Sequence, residues 1–311
     1  MIAVFLLGGF ALLFAGGELL VRGGVGVALR LNIPRAVVGL TLVAFATSAP
    51  ELIVSVIAAL RGKSDIALGN VIGSNIANVG LILGLTAVVY KMKAHRLSYQ
   101  KDWYFLLLAN AFLLVLLYLG GVPRWGGLLF VLMLIGYNVV KVRNVRRNPP
   151  QEPLDIGENR DHVLLSILWL VLGSLALKYG AQFFVGGISS MALKFGLSER
   201  IISVTLVAFG TSVPELAASL IAARKGESDL AIGNIIGSNL FNILSVLGIT
   251  ALIRPMELNS DQLFTIDFPV SVLLTALVIP LMGWLKPDRL DRYEGGLLLI
   301  SYLLYISYLV F

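Results

Sequence analysis

Apolar residues along this chain neither alternate nor fall into one-sided stripes. They form long continuous runs separated by short polar stretches. Ten runs stand out: Ile2–Leu20, Pro34–Leu60, Ile66–Tyr90, Trp103–Leu119, Trp125–Val140, Val163–Val185, Ile201–Ala223, Leu230–Ile253, Phe264–Leu285 and Tyr293–Phe311. A helix needs about 20 predominantly apolar residues to cross the hydrocarbon core of a bilayer. The pattern therefore predicts ten transmembrane helices and an all-α integral membrane protein. The first run starts at Met1 without a basic leader or a small-residue cleavage site, so it is expected to be a permanent helix and not a removable signal. The longest polar stretch, about Lys141 to His162, is too short to hold a domain.

The runs are not independent of one another. Thr41–Leu52 (TLVAFATSAPEL) recurs as Thr205–Leu216 (TLVAFGTSVPEL), and Gly69–Asn78 (GNVIGSNIAN) recurs as Gly233–Asn242 (GNIIGSNLFN). Both copies lie 164 residues apart, and 29 of 47 positions match without a gap between Thr41–Ala87 and Thr205–Ala251. Shared apolar composition produces scattered Leu, Val and Ala matches. It does not produce aligned Thr-Ser-x-Pro-Glu and Gly-Ser-Asn-x-x-Asn blocks. The offset crosses five predicted helices, an odd number, so the second copy enters the membrane from the opposite side. The expected architecture is two inverted-topology five-helix repeats, 1–141 and 162–311, joined by a linker over 142–161. Secondary transporters are commonly built this way, with the substrate site near the midplane where the halves meet. The plain alternative is a duplicated scaffold with no transport role. Against it, the copies agree best at polar residues, whereas a scaffold needs only its packing residues.

Glu51 and Glu215 fall deep inside the second and seventh runs. A carboxylate at the bilayer centre costs about 2.5–3.5 kcal/mol on insertion scales. A protonated glutamic acid bonded to backbone would reduce that cost. The equivalent positions of the two residues, and the lack of an embedded Lys or Arg to pair both, favour a functional pair. Thr47 and Ser48 precede Glu51 on one helix face, as Thr211 and Ser212 precede Glu215. Pro50 has no N–H, so the Ala46 carbonyl loses its helical donor, with loosening expected at Ala44 and Thr47. Pro214 does the same to Gly210, with effects expected at Ala208 and Thr211. Carboxylate, carbonyl and hydroxyl oxygens together are the ligand set of a hard cation such as Ca²⁺ or Na⁺. In the third run Asn70, Ser74 and Asn78 are spaced by four, and Asn234, Ser238 and Asn242 match them in the eighth. Alone, such stripes read as packing and interhelical hydrogen bonds. Beside paired glutamates, Ser74, Asn78, Ser238 and Asn242 read as further ligands. Asn75 and Asn239 lie off the stripes and are expected to bond to backbone. Asn110 and Asn138 are expected to act as packing glue, and Glu18, Asp267 and Lys178 to snorkel from helix ends.

Composition and charge narrow the chemistry. Only 14% of residues are charged and 58% are hydrophobic, against roughly 25% charged in soluble domains. The absence of cysteine excludes disulfides, thiolate metal sites and cysteine nucleophiles. Both histidines, His95 and His162, sit in polar stretches, and no embedded nucleophile–base pair is visible, so an enzyme is not expected and no cofactor is implied. The net charge of +6 is spread over short loops, which excludes a nucleic-acid partner; no protein partner is implied either. Of the 24 Lys and Arg residues, 17 are assigned to the side reached after odd-numbered runs and 7 to the opposite side. The positive-inside rule then expects both termini outside the cell membrane and the linker in the cytoplasm. The cluster Arg143–Arg147 reads first as part of that signal and second as a contact for anionic lipid.

The two Thr-Ser-x-Pro-Glu blocks and the two Gly-Ser-Asn-x-x-Asn blocks resemble the α-repeats of the cation/calcium antiporter superfamily, in particular its prokaryotic-type sodium/calcium exchangers. The resemblance covers the whole chain. It implies exchange of Na⁺ for Ca²⁺ through four central sites, three Na⁺ for one Ca²⁺, and hence electrogenic transport. It further implies that Ca²⁺ meets the Glu51 and Glu215 carboxylates and the Thr47 and Thr211 carbonyls. Sodium would use Ala44, Ser48, Glu51 and Ser74 on one side, and Ala208, Thr211, Ser212, Glu215 and Ser238 on the other. In the family the first and sixth helices slide across the core to alternate access. Potassium-dependent members carry Asp where this chain has Asn242, which argues for potassium independence. The short linker leaves no room for a calcium-sensing domain. Two alternatives stay open: a Ca²⁺/H⁺ antiporter, against which Asn78 and Asn242 speak, and a passive cation channel, which would not need two glutamates sequestered at kinked midpoints.

Overall fold

The computed structural model describes residues 2–93, 96–147, 162–194, 208–282 and 288–310. Its helices are α1 (Ile2–Leu31), α2 (Arg35–Thr47 followed by Ala49–Leu60), α3 (Ser64–Val89), α4 (Arg96–Tyr118) and α5 (Arg124–Arg147). The second half holds α6 (Val163–Lys194), α7 (described from Ala208 to Arg224), α8 (Ser228–Ile253), α9 (Leu263–Leu281) and α10 (Arg292–Val310). Seven of these are long and apolar enough to cross a membrane, or eight if the bent α2 counts as one span; α7 and α10 as described are not among them. The chain is a multi-pass integral membrane protein. Residues 201–207 of the seventh apolar run, residues 148–161 of the linker, and His95 lie outside the described residues.

Several helices outrun their apolar stretches. α1 continues past Leu20 to Leu31, α5 past Val140 to Arg147, and α6 past Val185 to Lys194. The linker expected over 142–161 therefore begins as helix. Glu18 and Lys178 are corrected by the same observation, because neither lies at a helix end. Glu18 pairs instead with Arg224 at 2.5 Å and with Lys225, across to the end of α7. Asp267, near the start of α9, accepts a bond from the Tyr305 hydroxyl at 2.9 Å.

α3 and α8 form the centre. Buried positions make up 78% and 89% of their apolar windows, against 22–39% for the other spanning helices, which face lipid. Two short antiparallel ladders stitch the halves together: β1 (Met92–Lys93) pairs with β4 (Arg289–Leu290), and β2 (Gly121–Val122) with β3 (Met256–Glu257).

Repetition reaches beyond the two motifs. Gly9, Gly16 and Gly23 recur as Gly173, Gly180 and Gly187 at the same offset of 164, and a spacing of seven keeps each trio on one helix face. A Cβ on Gly16 would lie 2.8 Å from the Leu177 nitrogen, and one on Gly173 would lie 2.7 Å from the Leu20 nitrogen. α1 and α6 thus meet backbone to backbone, the contact small residues permit between membrane helices.

Candidate functional site

α2 breaks at Ser48, whose φ of −83° and ψ of 3° leave the helical region, and its two pieces meet at 44°. The second piece restarts at Ala49, with Pro50 in its first turn, where a missing N–H forfeits no bond. Glu51 follows in that first turn, where the helix dipole favours a negative charge. The break explains the Ser-x-Pro-Glu order: it turns a mid-membrane carboxylate into one at a helix N-terminus. α7 behaves differently. Its described helix is unbroken through Pro214, so the second kink expected from the sequence does not interrupt it. Loosening at Ala44 is also not seen. Its carbonyl accepts the Ser48 N–H at 3.0 Å and the Thr47 hydroxyl at 3.3 Å, filling both lone pairs.

The site residues converge where α2 and α7 cross α3 and α8. Glu51 and Glu215 are both fully buried, as are Thr47, Ser48, Ser74, Asn78, Ser212, Ser238 and Asn242 to within 3%. The Ser48 hydroxyl donates to Glu215 Oε1 at 3.4 Å, linking the two glutamate motifs. Thr47 Oγ1 lies 3.2 Å from Asn234 Oδ1 and 3.3 Å from Ser238 Oγ, which ties α2 to α8. Thr211 is the polar neighbour of Glu51 from the other half. Ala208 opens the described part of α7.

What these groups lack is as telling as what they have. Neither oxygen of Glu51 meets hydrogen-bond geometry, and neither do Glu215 Oε2, Ser74 Oγ, Ser212 Oγ, Asn78 Oδ1 or Asn242 Oδ1. A buried polar group without a partner costs about 1–3 kcal/mol, and more when charged. Other buried atoms share this lack, among them Asn239 Nδ2 and the Thr86 and Thr250 hydroxyls, but those on the two glutamates and on the four-spaced stripes are all oxygens. An all-oxygen set of carboxylates, hydroxyls and amide carbonyls fits a hard cation.

Asn75 and Asn239 do more than the sequence reading assigned to them. Asn78 Nδ2 donates to Asn239 Oδ1 at 3.0 Å, and Asn242 Nδ2 donates to Asn75 Oδ1 at 3.0 Å. The backbone bond expected of them exists on one side only, from Asn75 Nδ2 to the Asn239 carbonyl at 3.5 Å. Each half therefore holds the other's site asparagine by its amide nitrogen and leaves the Oδ1 turned away from that bond. Their invariance between the two copies was the available signal. Replacing Asn75 or Asn239 by leucine is expected to weaken cation binding by about tenfold, on the scale of outer-shell partners of metal ligands. An isotherm on the purified variant checks this, and Asn75→Asp, which keeps the acceptor, should retain more affinity than the leucine variant.

Asn70 and Asn234 serve as braces. Their side-chain nitrogens reach Ser55 Oγ at 3.0 Å and Ser219 Oγ at 3.2 Å, and Asn70 also reaches the Glu51 carbonyl at 3.3 Å. Asn110 and Asn138, expected as packing glue, direct their side-chain nitrogens to their own helices. Each bonds the carbonyl four residues back in its own helix, at 2.9 Å.

A multi-pass bundle with a buried, oxygen-lined site built from two related halves defines the class. Comparison with known proteins narrows it: the chain belongs to the sodium/calcium exchanger protein family, whose model matches residues 1–143 and 165–311. It is similar to the putative antiporter CaxA of Alkalimonas amylolytica, 36% identical over 314 residues covering 99% of this chain and 98% of that protein. It is 31% identical over 350 residues to the sodium/calcium exchanger MaX1 of Methanosarcina acetivorans, covering 98% of this chain and 97% of that one. A solved structure of the sodium-calcium exchanger NCX_Mj, soaked with 2.5 mM Na⁺ and 0.1 mM Ca²⁺, matches with a TM-score of 0.83 and 30% identity over 98% of this chain and 97% of that one.

Proposed function

We propose that this chain is a secondary antiporter that exchanges Na⁺ for Ca²⁺ across the cell membrane by alternating access, in ten spans arranged as two inverted repeats. One observation carries the reading. Glu51 and Glu215, one from each half, are fully buried beside unpartnered hydroxyl and amide oxygens. Family membership and the exchangers among its relatives support the choice of ions. In this reading Ca²⁺ takes both carboxylates and the Thr47 and Thr211 carbonyls. Sodium takes Ala44, Ser48, Glu51 and Ser74 on one side and Ala208, Thr211, Ser212, Glu215 and Ser238 on the other, with Asn78 and Asn242 completing the centre. For Ala44 to take part, the Thr47 hydroxyl must first release its carbonyl. The test is Ca²⁺ uptake into proteoliposomes with internal Na⁺, K⁺ and pH varied separately. Uptake driven by Na⁺ alone supports the reading. Uptake driven only by a pH gradient replaces it with Ca²⁺/H⁺ antiport, and flux without any counter-ion replaces it with a channel.

Both termini lie outside in this reading, and the stretch after α5 lies in the cytoplasm, from the excess of basic residues on that side. The chain has no cysteine, so a single introduced thiol is a clean probe. A cysteine at Ser98 or Asn148 should resist an impermeant reagent added outside intact cells; rapid labelling there reverses the orientation.

Asn242→Asp is expected to confer sensitivity to K⁺ or to pH. A third carboxylate changes the protein's contribution from −2 to −3, which favours an added monovalent cation or a bound proton. An active variant whose rate stays flat across K⁺ and pH would show that Asn242 does not set ion choice.

A further inference from the structure

Lys178 is the sixteenth of the 32 residues of α6. At 1.5 Å per residue, more than 20 Å of helix separates it from either end. The apolar run ends nearer, at Val185, about 10 Å of helix away, which a lysine side chain about 6 Å long does not span, so the ammonium sits short of that boundary. It borders a cavity of ≈ 300 Å³ between α2, α6 and α7, whose walls include Pro50, Gln182, Thr211 and Pro214. Pro50 and Pro214 are the immediate neighbours of Glu51 and Glu215, so the cavity runs alongside both carboxylate motifs. Among the described residues no carboxylate pairs with Lys178. Its one charge-related contact is the Tyr179 ring, 5.7 Å from the ammonium, a weak partner.

A fixed positive charge beside a site carrying two negative ones lowers the potential that gathers cations there. Coulomb repulsion scales with the charge of the ion. Any factor by which Lys178 weakens the binding of one Na⁺ is therefore squared for Ca²⁺. We propose that Lys178 is a specificity-determining charge, which weakens Ca²⁺ more than Na⁺ at the Glu51–Glu215 site. The proposal rests on the exchanger reading for the identity of the ions. Its consequence suits a carrier. Two carboxylates in a dry site hold a dication tightly, and the lysine selectively eases its release. By the proposed topology the cavity lies in the outer half of the membrane, so this effect acts from the outer face.

The test is charge replacement at one position, read by equilibrium binding of ⁴⁵Ca²⁺ and ²²Na⁺ to the purified full-length protein. Lys178→Met should lower the half-saturating concentration about threefold for Na⁺ and about tenfold for Ca²⁺, with Lys178→Arg unchanged. Because the chain lacks cysteine, Lys178→Cys allows both signs of charge in one variant. An ethylammonium methanethiosulfonate adduct should restore the wild-type constants, and an ethylsulfonate adduct should lower both further, with the Ca²⁺ shift twice the Na⁺ shift on a logarithmic scale. Raising ionic strength with an inert salt should shrink the differences. Equal shifts for the two ions, identical constants for the two adducts, or a thiol unreactive toward both reagents would overturn the proposal. If the wild type binds Ca²⁺ yet never exchanges it for Na⁺, the exchanger reading fails, while the comparison of adducts still judges Lys178.

Discussion

Glu51→Gln and Glu215→Gln each abolish Ca²⁺ uptake in the expected result, while the protein stays folded. The two carboxylates are fully buried, and three of their four oxygens make no contact of full hydrogen-bond geometry. A bound dication supplies a partner. Removing one carboxylate leaves Ca²⁺ dehydrated against a single negative charge. Breaking a buried ion pair in this way costs about 3–5 kcal/mol, which is roughly 10²- to 4 × 10³-fold in affinity. The same substitution removes an uncompensated charge from the ion-free protein. Thermal unfolding in ion-free detergent should therefore show each variant at least as stable as the wild type, and Ca²⁺ should no longer raise its Tm. Near-normal uptake by either variant would move the transport site elsewhere. Unfolding of both would instead make the glutamates structural.

Exchange is expected to respond steeply to voltage. With three Na⁺ against two carboxylates the loaded site carries −2 + 3 = +1, and with one Ca²⁺ it is neutral. One net charge then crosses per cycle, worth about 2.3 kcal/mol per 100 mV. The equilibrium Ca²⁺ ratio should change by about 50-fold over that range. An inside-positive potential should speed Na⁺-driven Ca²⁺ uptake into vesicles, because it favours exit of the positively charged sodium-loaded form. Clamping the potential with K⁺ and valinomycin, at fixed ion gradients, measures both quantities. A ratio that ignores voltage would require two Na⁺, or two protons, per Ca²⁺.

Much of the site was legible because the chain states it twice. A lone Thr-Ser-x-Pro-Glu could be a kinked helix; two copies at a fixed offset isolate the oxygens that remain unpartnered in the fold. The parts that were not legible depend on geometry between segments. α2 breaks ahead of its proline, at Ser48, where Thr47 and Ser48 meet Asn234, Ser238 and Glu215, all from the other half and out of reach of any local pattern. The pairing of Asn75 with Asn242 and of Asn78 with Asn239 crosses more than 160 residues, and no local pattern predicts it. Glu18 and Lys178 were misplaced for a simpler reason. Apolar runs mark where lipid contact ends, but helices extend beyond that boundary, so a residue near the end of a run can sit mid-helix.

In both central helices the chain winds more loosely at the site. α3 is π-helical over Ala77–Leu83 and α8 over Asn242–Leu247, so Asn78 and Asn242 fall where each helix carries a surplus residue. Deleting one residue from such a turn would restore ordinary winding and leave the flanking turns close to their present register, because the loosened turn is what absorbs the surplus residue. Ser74 lies before the turn in α3. Gly84, packed against the backbone of α10 at Leu299, and the pairing of Met92 with Leu290 lie after it. Such a deletion would withdraw Asn78 or Asn242 from its place in the loosened turn while sparing the seating against α10. The same deletion from an ordinary turn of α3 would rotate everything beyond it by about 100° and disrupt both. The loosened turn occupies matching places in both halves, so each half brings its asparagine to the centre by the same device.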